Sequence, residues 1–208
     1  MTNNKPEPYH HGDLRAALLT AATEMMATEG IESVTLRTLS RRIGVSRTAP
    51  YRHFADKSAL LAAVAEQGFQ RLQQSLQSVA EQTEIDLLVH FQLMGIAYIQ
   101  FAIDNPTHYR LMFSNLTADF EHHPELEITS TAVFDTLLTS IQQLQTANLI
   151  IAGDPRLLAY GVWATVHGLS SLLIDARIRN LDDRQQLISF TTQTLLDGLL
   201  FRHPVFDA

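Results

Sequence analysis

Residues 35–57 read TLRTLSRRIGVSRTAPYRHFADK. Thr35 carries a hydroxyl that can cap a helix, and Leu36, Leu39 and Ile43 follow at helical spacing. That spacing turns one apolar stripe inward and leaves Arg37, Arg41 and Arg42 toward water. Gly44 supplies the positive φ that a helix end often needs, Val45 pins the turn to the core, and Ser46 is placed to cap a second helix predicted from Arg47 to about Phe54. Pro50 then falls in or just after the first turn, where a missing N–H costs least. The pattern is a helix-turn-helix. The outward side chains of its second helix, Arg47, Thr48, Tyr51, Arg52 and His53, suit phosphate oxygens and base edges.

The charge distribution points the same way. The chain of 208 residues carries a formal charge of −7, yet its first 60 residues are at +2 and the remainder at −9. Between Thr35 and Lys57 six cations face a single acid, a local +5. Nucleic acid is drawn to that end and repelled from the rest. A chance cluster of surface arginines would account for the charge alone about as well. It would not account for cations on both helices of a capped, glycine-turned pair.

The run Gly44-Val45-Ser46, then Tyr51-Arg52-His53-Phe54, then Lys57 with Leu60 and Leu61 resembles the end of the DNA-binding domain of TetR-type bacterial transcriptional regulators. Leu14 to Gly30 is similar to that family's first helix and the glycine break after it. The resemblance covers the first quarter to third of the chain and rests on several positions at fixed spacing. It implies an all-α protein with an N-terminal three-helix DNA-binding domain over residues 1–57 and a larger helical ligand-binding and dimerisation domain over 58–208. It implies phosphate contacts at Tyr51, His53 and Lys57 and a major-groove face at Arg37, Arg47, Thr48 and Ala49, with Thr35 and Arg52 completing the DNA-binding set and Phe54 in the core. Ser40 departs from the family, which more often has alanine packed under the turn; a buried hydroxyl there needs a partner, expected in a backbone carbonyl one turn back. Further along, Trp163, His167 and Gly168 (W-x-x-x-H-G) and the opening His10-His11-Gly12-Asp13-Leu14 resemble the subgroup whose C-terminal domain is named for a Trp-His-Gly signature.

Helical periodicity continues through the chain. The spacing predicts helices from Leu14 to about Glu29, from Asp56 toward Val79 as the link between domains, and over 86–104 with Asn105-Pro106 as its stop. It then predicts a short helix over 106–114, a loop over 117–125, a helix from Leu126 to about Asn148, and two last helices over 155–178 and 183–201. Asp154 and Pro155 read as N-cap and first helical residue. No alternating strand pattern or internal repeat interrupts this reading.

The last two helices are apolar over more of their circumference than a surface helix needs. Leu158, Val162, Val166, Leu169 and Leu173 form one stripe, and Ile188, Leu195, Leu196, Leu199 and Leu200 line the other helix. Either part of that surface buries against a second copy or both helices are interior to a larger monomeric bundle. The resemblance implies the first, a homodimer through 155–201 on a pseudo-palindromic double-stranded DNA operator. In the family's arrangement Phe91, Met94, Tyr98, Phe134, Trp163 and His167 would surround a cavity, with Tyr109, Met112 and Phe113 near its mouth. Aromatic and methionine side chains at helical spacing are also what plain core looks like. A shared apolar cavity would take a small apolar or aromatic effector, oriented by Tyr98 and His167, unless His167 is a core histidine satisfied by a backbone carbonyl.

Other classes find little support. Gly168-Leu169-Ser170-Ser171-Leu172 fails the G-x-S-x-G pattern at its last position and falls inside a predicted helix. No H-E-x-x-H occurs, and His122-His123 beside Pro124 reads as a polar loop, so no catalytic residue, metal site or cofactor is expected. The chain has no cysteine. The N-terminus is polar, which points to the cytoplasm, and Leu157 to Ile174, though free of Asp, Glu, Lys and Arg, reads as a buried helix and not a membrane span. A ligand-responsive regulator, usually a repressor, is the favoured reading. The alternatives are a DNA-binding protein of the same architecture governed by a protein partner, and an all-α enzyme or transport module whose basic helix pair is incidental.

Overall fold

The computed structural model describes residues 14–80, 86–117, 123–179 and 181–200. They form the helices α1 (Leu14–Glu29), α2 (Leu36–Arg42), α3 (Lys57–Ala80), α4 (Leu87–Asp104), α5 (Pro106–Met112), α6 (Pro124–Thr146), α7 (Pro155–Ile174) and α8 (Arg184–Leu199). The opening residues His10 to Asp13 lie outside the described residues. The only extended pairing among the described residues is an isolated bridge between Ile150 and Leu200.

The helix starts follow from side-chain caps. Thr35 and Thr38 form a reciprocal box, each hydroxyl accepting the other's backbone N–H at 2.9–3.0 Å. Asp86, Asp154 and Asp183 cap α4, α7 and α8 by accepting from the N–H groups of Leu88, Arg156 and Gln186 at 2.8–3.0 Å. Gly44 takes φ 75° after α2, which lets the Val45 N–H reach back to the Ser40 carbonyl at 3.0 Å.

The second helix of the helix-turn-helix differs from its expectation. Residues 47–49 form a turn, and only Pro50–Arg52 close into a short 3-10 helix. Pro50 has no N–H to give the preceding turn, so the Ser46 carbonyl accepts instead from Ala49 at 3.1 Å, and the Arg52 N–H returns to Ala49 at 3.2 Å. Ser46 does not cap this segment; its hydroxyl lies 3.3 Å from that of Thr48. Two smaller corrections concern connections. The helix predicted from Leu126 begins at Pro124, with 118–122 outside the described residues, and α7 ends at Ile174, before Ala176 in a left-handed conformation (φ 50°).

Helix α3 is the axis of the fold. It starts at Lys57, beneath the helix-turn-helix, and packs on α1, α4, α5 and α6. One continuous apolar core joins Leu18, Leu39 and Phe54 of the N-terminal helices to Leu60 and Phe69 of α3 and on to Tyr98, Tyr109 and Val166. Fully burying one such leucine or phenylalanine stabilises the fold by about 1.5–3 kcal/mol. Both α4 and α7 are long and apolar enough to cross a membrane by length and composition. In the fold they pack against each other, and α4 also packs on α3 and α8.

Most residues of the apolar stripes of α7 and α8 face the protomer's own interior. Val162, Val166, Leu169, Ile188, Leu196 and Leu199 are buried within one chain, and Leu195 lies against its core. The open faces carry other residues. On α7, Leu157, Tyr160, Gly161, Ala164 and Leu172 are exposed, and on α8 Phe190 is 67% exposed opposite the buried stripe.

His108, on α5, is buried against α3, and its Nε2 has no hydrogen-bond partner among the described residues. Burial, with the Arg71 charge second, pushes its pKa down to about 4. The folded state therefore holds the ring neutral, whereas an unfolded histidine titrates near 6.5. Its contribution is complete above about pH 6.5 and drains as pH falls toward about 4. Between about pH 7 and pH 5 the loss is about 2 kcal/mol, or roughly 4–8 °C in Tm. Thermal melts of the protein and of His108→Leu should differ in pH dependence by that amount; parallel profiles would remove His108 as the cause.

Candidate nucleic-acid interface and ligand cavity

The basic face is built on α2, the Gly44 turn and the segment that follows. Arg37, Arg41, Arg47 and Arg52 are exposed and have no carboxylate within 4 Å among the described residues. Thr48, Tyr51 and His53 are exposed beside them, Tyr51 at 58%. Ala49 is half-buried. Four unpaired guanidinium groups around an exposed phenol can meet a polyanion without first breaking an ion pair.

Three residues of this region have structural duties. Arg42 pairs with Glu29 at 2.7 Å, which ties α2 to the end of α1. Thr35 keeps its hydroxyl in the capping box. The Lys57 ammonium donates to the Ile31 carbonyl at 2.8 Å, with the Glu32 carboxylate at 4.0 Å, so one of its three donors is committed to holding α3 against the α1–α2 connection. Ser40 is buried and donates to the Arg37 carbonyl at 2.9 Å, the local back-bond its position required.

The larger half encloses a cavity of about 70 Å³ between α3, α4, α6, α7 and α8. That is several times the roughly 10–15 Å³ needed by one water. Six of the expected residues line it: Phe91, Met94, Tyr98, Phe113, Phe134 and Trp163. Tyr109, Met112 and His167 do not. Met112 sits beside Gly68 on α3, where a Cβ would come within 2.5 Å of its sulfur. Residues without a special sequence signal complete the wall: Phe69 and Leu76 from α3, Gln92 and Gly95 from α4, Val133 and Leu137 from α6, Val162 and Val166 from α7, and Thr192 and Leu195 from α8.

Behind the wall lies a closed hydrogen-bond network. The Trp163 N–H donates to the Tyr98 oxygen at 3.1 Å, and the Tyr98 and Tyr109 hydroxyls share a hydrogen bond at 3.1 Å. The Tyr109 hydroxyl also hydrogen-bonds Nδ1 of His167 at 2.7 Å, with the Tyr98 hydroxyl 3.3 Å from the same nitrogen. Burial holds the His167 pKa below its usual value, which favours the neutral ring that can accept at Nδ1. Burial also pushes Tyr109 up to about 12 and raises Tyr98, so both phenols stay protonated. Nδ1 of His167 is thus engaged by tyrosine hydroxyls where a backbone carbonyl was the expected alternative, and the Tyr98 hydroxyl is engaged with Trp163 and Tyr109. The network joins α4, α5 and α7. Arg110 adds a second tie, donating from α5 to the Ile174 carbonyl at 2.6 Å and to Asp175 at 3.0 Å. Helix α5 also packs on α1, so it touches both the cavity's supporting residues and the DNA-binding helices.

Comparison with known proteins follows the same division. Residues 18–64 match the model for bacterial regulatory proteins of the tetR family, and residues 91–195 match a tetracycline repressor-like C-terminal domain. A Rhodococcus sp. RHA1 protein of unknown function shares the fold at a TM-score of 0.84 with 31% identity, covering 94% of this chain and all of that one. The uncharacterised HTH-type transcriptional regulator YobS of Bacillus subtilis (strain 168) is 26% identical over 188 residues, 89% of this chain and 92% of its own. The class C tetracycline repressor protein of Escherichia coli is 44% identical over 52 residues, 25% of this chain and 24% of its own.

Proposed function

The chain belongs to the TetR family of bacterial transcriptional regulators, and from that premise we propose that it is a homodimeric, sequence-specific repressor that leaves its operator when a small, largely apolar molecule enters the cavity. The cavity is the observation that carries the effector: its wall is apolar, its polar groups are mostly engaged with one another, and it is linked through α5 to α1. The reading assigns DNA binding to residues 1–57 and effector binding and dimerisation to 58–208, in the subgroup with a Trp-His-Gly C-terminal domain, acting in the cytoplasm without a membrane partner. Arg37, Arg47, Thr48 and Ala49 are assigned to the major groove and Tyr51, Arg52, His53 and Lys57 to phosphates, with Thr35 at the edge of the face.

Dimerisation is assigned to the exposed faces of α7 and α8. Leu157, Tyr160, Gly161, Ala164 and Leu172 lie along one side of α7, and a Cβ added at Gly161 would meet nothing within 4 Å. An open apolar and small-residue face of this kind suits close approach by an identical helix. Governance by a protein partner remains the second reading, and the cavity favours the small effector over it.

Release requires the effector to bind best the conformation whose basic faces no longer match the operator. Trp163 is the only tryptophan and lines the cavity, so an entering molecule changes its emission. The same titration should lower operator affinity, and Val133→Phe, which fills the cavity from α6, should remove both effects. Release of DNA with Trp163 emission unchanged would place the regulatory site elsewhere.

A further inference from the structure

Resting on the reading of the cavity as an effector site, we propose that the effector is an uncharged molecule with an apolar body and one hydrogen-bonding group, and that Gln92 is the residue that recognises that group. Most polar atoms of the wall are already engaged. The Trp163 N–H and the Tyr98 hydroxyl are committed to the network behind the wall. The Thr192 hydroxyl donates to the Ile188 carbonyl at 3.0 Å. Gln92 lines the cavity and makes no side-chain hydrogen bond among the described residues.

A carboxamide offers two N–H donors and one carbonyl acceptor, so it can serve a hydroxyl, a carbonyl or an amide equally. It cannot neutralise a charge. Among the described residues the wall contains no Asp, Glu, Lys, Arg or His, and the nearby cation Arg156 is held against the Phe134 ring, 5.7 Å from its centroid, outside the wall. A carboxylate or an ammonium group drawn into this space would lose its hydration without finding a counter-ion, a cost larger than the gain from its apolar body. Gln92 also stands one helical turn from Gly95, which lines the same wall and lets α8 approach α4; a Cβ there would come within 3.3 Å of the Thr192 methyl.

Four molecules with one skeleton separate these possibilities: propylbenzene, 3-phenylpropan-1-ol, 3-phenylpropanoate and 3-phenylpropylammonium, each titrated into the full chain with Trp163 emission as the readout. The alcohol should bind roughly fivefold more tightly than the hydrocarbon, the increment of one net hydrogen bond. The two ions should bind at least about tenfold more weakly than the alcohol. Gln92→Leu should abolish the alcohol's advantage while keeping the hydrocarbon's affinity, and Gln92→Glu, with its fold checked by melting, should shift preference to the ammonium. An unchanged alcohol-to-hydrocarbon ratio in Gln92→Leu, a carboxylate that binds as well as the alcohol, or no binding by any of the four would overturn the assignment. Binding in the expected order without loss of DNA affinity would leave Gln92 in place and contradict the repressor reading instead.

Discussion

Raising salt about fourfold, from roughly 50 to 200 mM, should weaken operator binding by about 10⁴-fold. The size follows from the number of phosphates engaged. With about four phosphate contacts in each protomer a dimer displaces counterions at about eight sites, and log affinity should fall against log salt with a slope near −7. Arg37, Arg41, Arg47 and Arg52 have no carboxylate partner among the described residues, so none of those residues has to release them before they meet DNA. Replacing Lys57 with Ala should weaken all sequences similarly and flatten the slope by about one. It should also lower stability, because the ammonium holds the Ile31 carbonyl. Arg47→Ala should relax base preference at one half-site position by roughly 1–3 kcal/mol. Binding that is indifferent to salt would show that the basic face is not the interface.

Phe190→Glu and Ala164→Glu should each give folded monomers that bind the operator at least about 100-fold more weakly, because the second half-site no longer benefits from the first. Both side chains are exposed in the protomer, Phe190 at 67%, so neither substitution disturbs its core. That separates them from Leu195 and Leu199, which belong to the apolar stripe of α8. Leu199 is 7% exposed within one chain and Leu195 lines the cavity, so a charge at either would destabilise the protomer itself and report nothing about association. Sedimentation of the unmodified protein as a monomer at concentrations where it binds DNA would contradict the assignment of these faces.

What the sequence made legible was local. The Thr35 cap, the Gly44 turn and the back-bond of Ser40 depend on residues within a few positions of one another, and the structure shows each of them. The misreading of 47–54 as a helix was also local: Pro50 marks a helix start in one context and removes a needed N–H in another, and here the turn before it stays short. Long-range partnerships were not legible in the same way. Tyr98, Tyr109 and His167 were all named as cavity residues for their chemistry, but contacts spanning 58–69 positions close them on one another and take two of them off the wall. Gln92 carried no signal, because a glutamine on an apolar helix looks like any solvated position until the packing of α3 and α8 shows what it faces. Which sides of α7 and α8 stay open was not legible for a related reason. A helix with apolar residues around most of its circumference does not say which side meets its own chain, and Gly161 and Ala164, small and inconspicuous, lie on the side left open.

Selection of bound duplexes from a random pool by the full chain, followed by affinity measurement on the winning sequence and on a scrambled duplex of equal length, tests sequence-specific recognition by a dimer most directly. A pseudo-palindrome with half-sites about one helical turn apart, bound at least about 10³-fold more tightly than the scrambled duplex at matched salt, is the predicted result. A pool that returns no common sequence, or a winner with a single unrepeated half-site bound no better than the scrambled duplex, would contradict it.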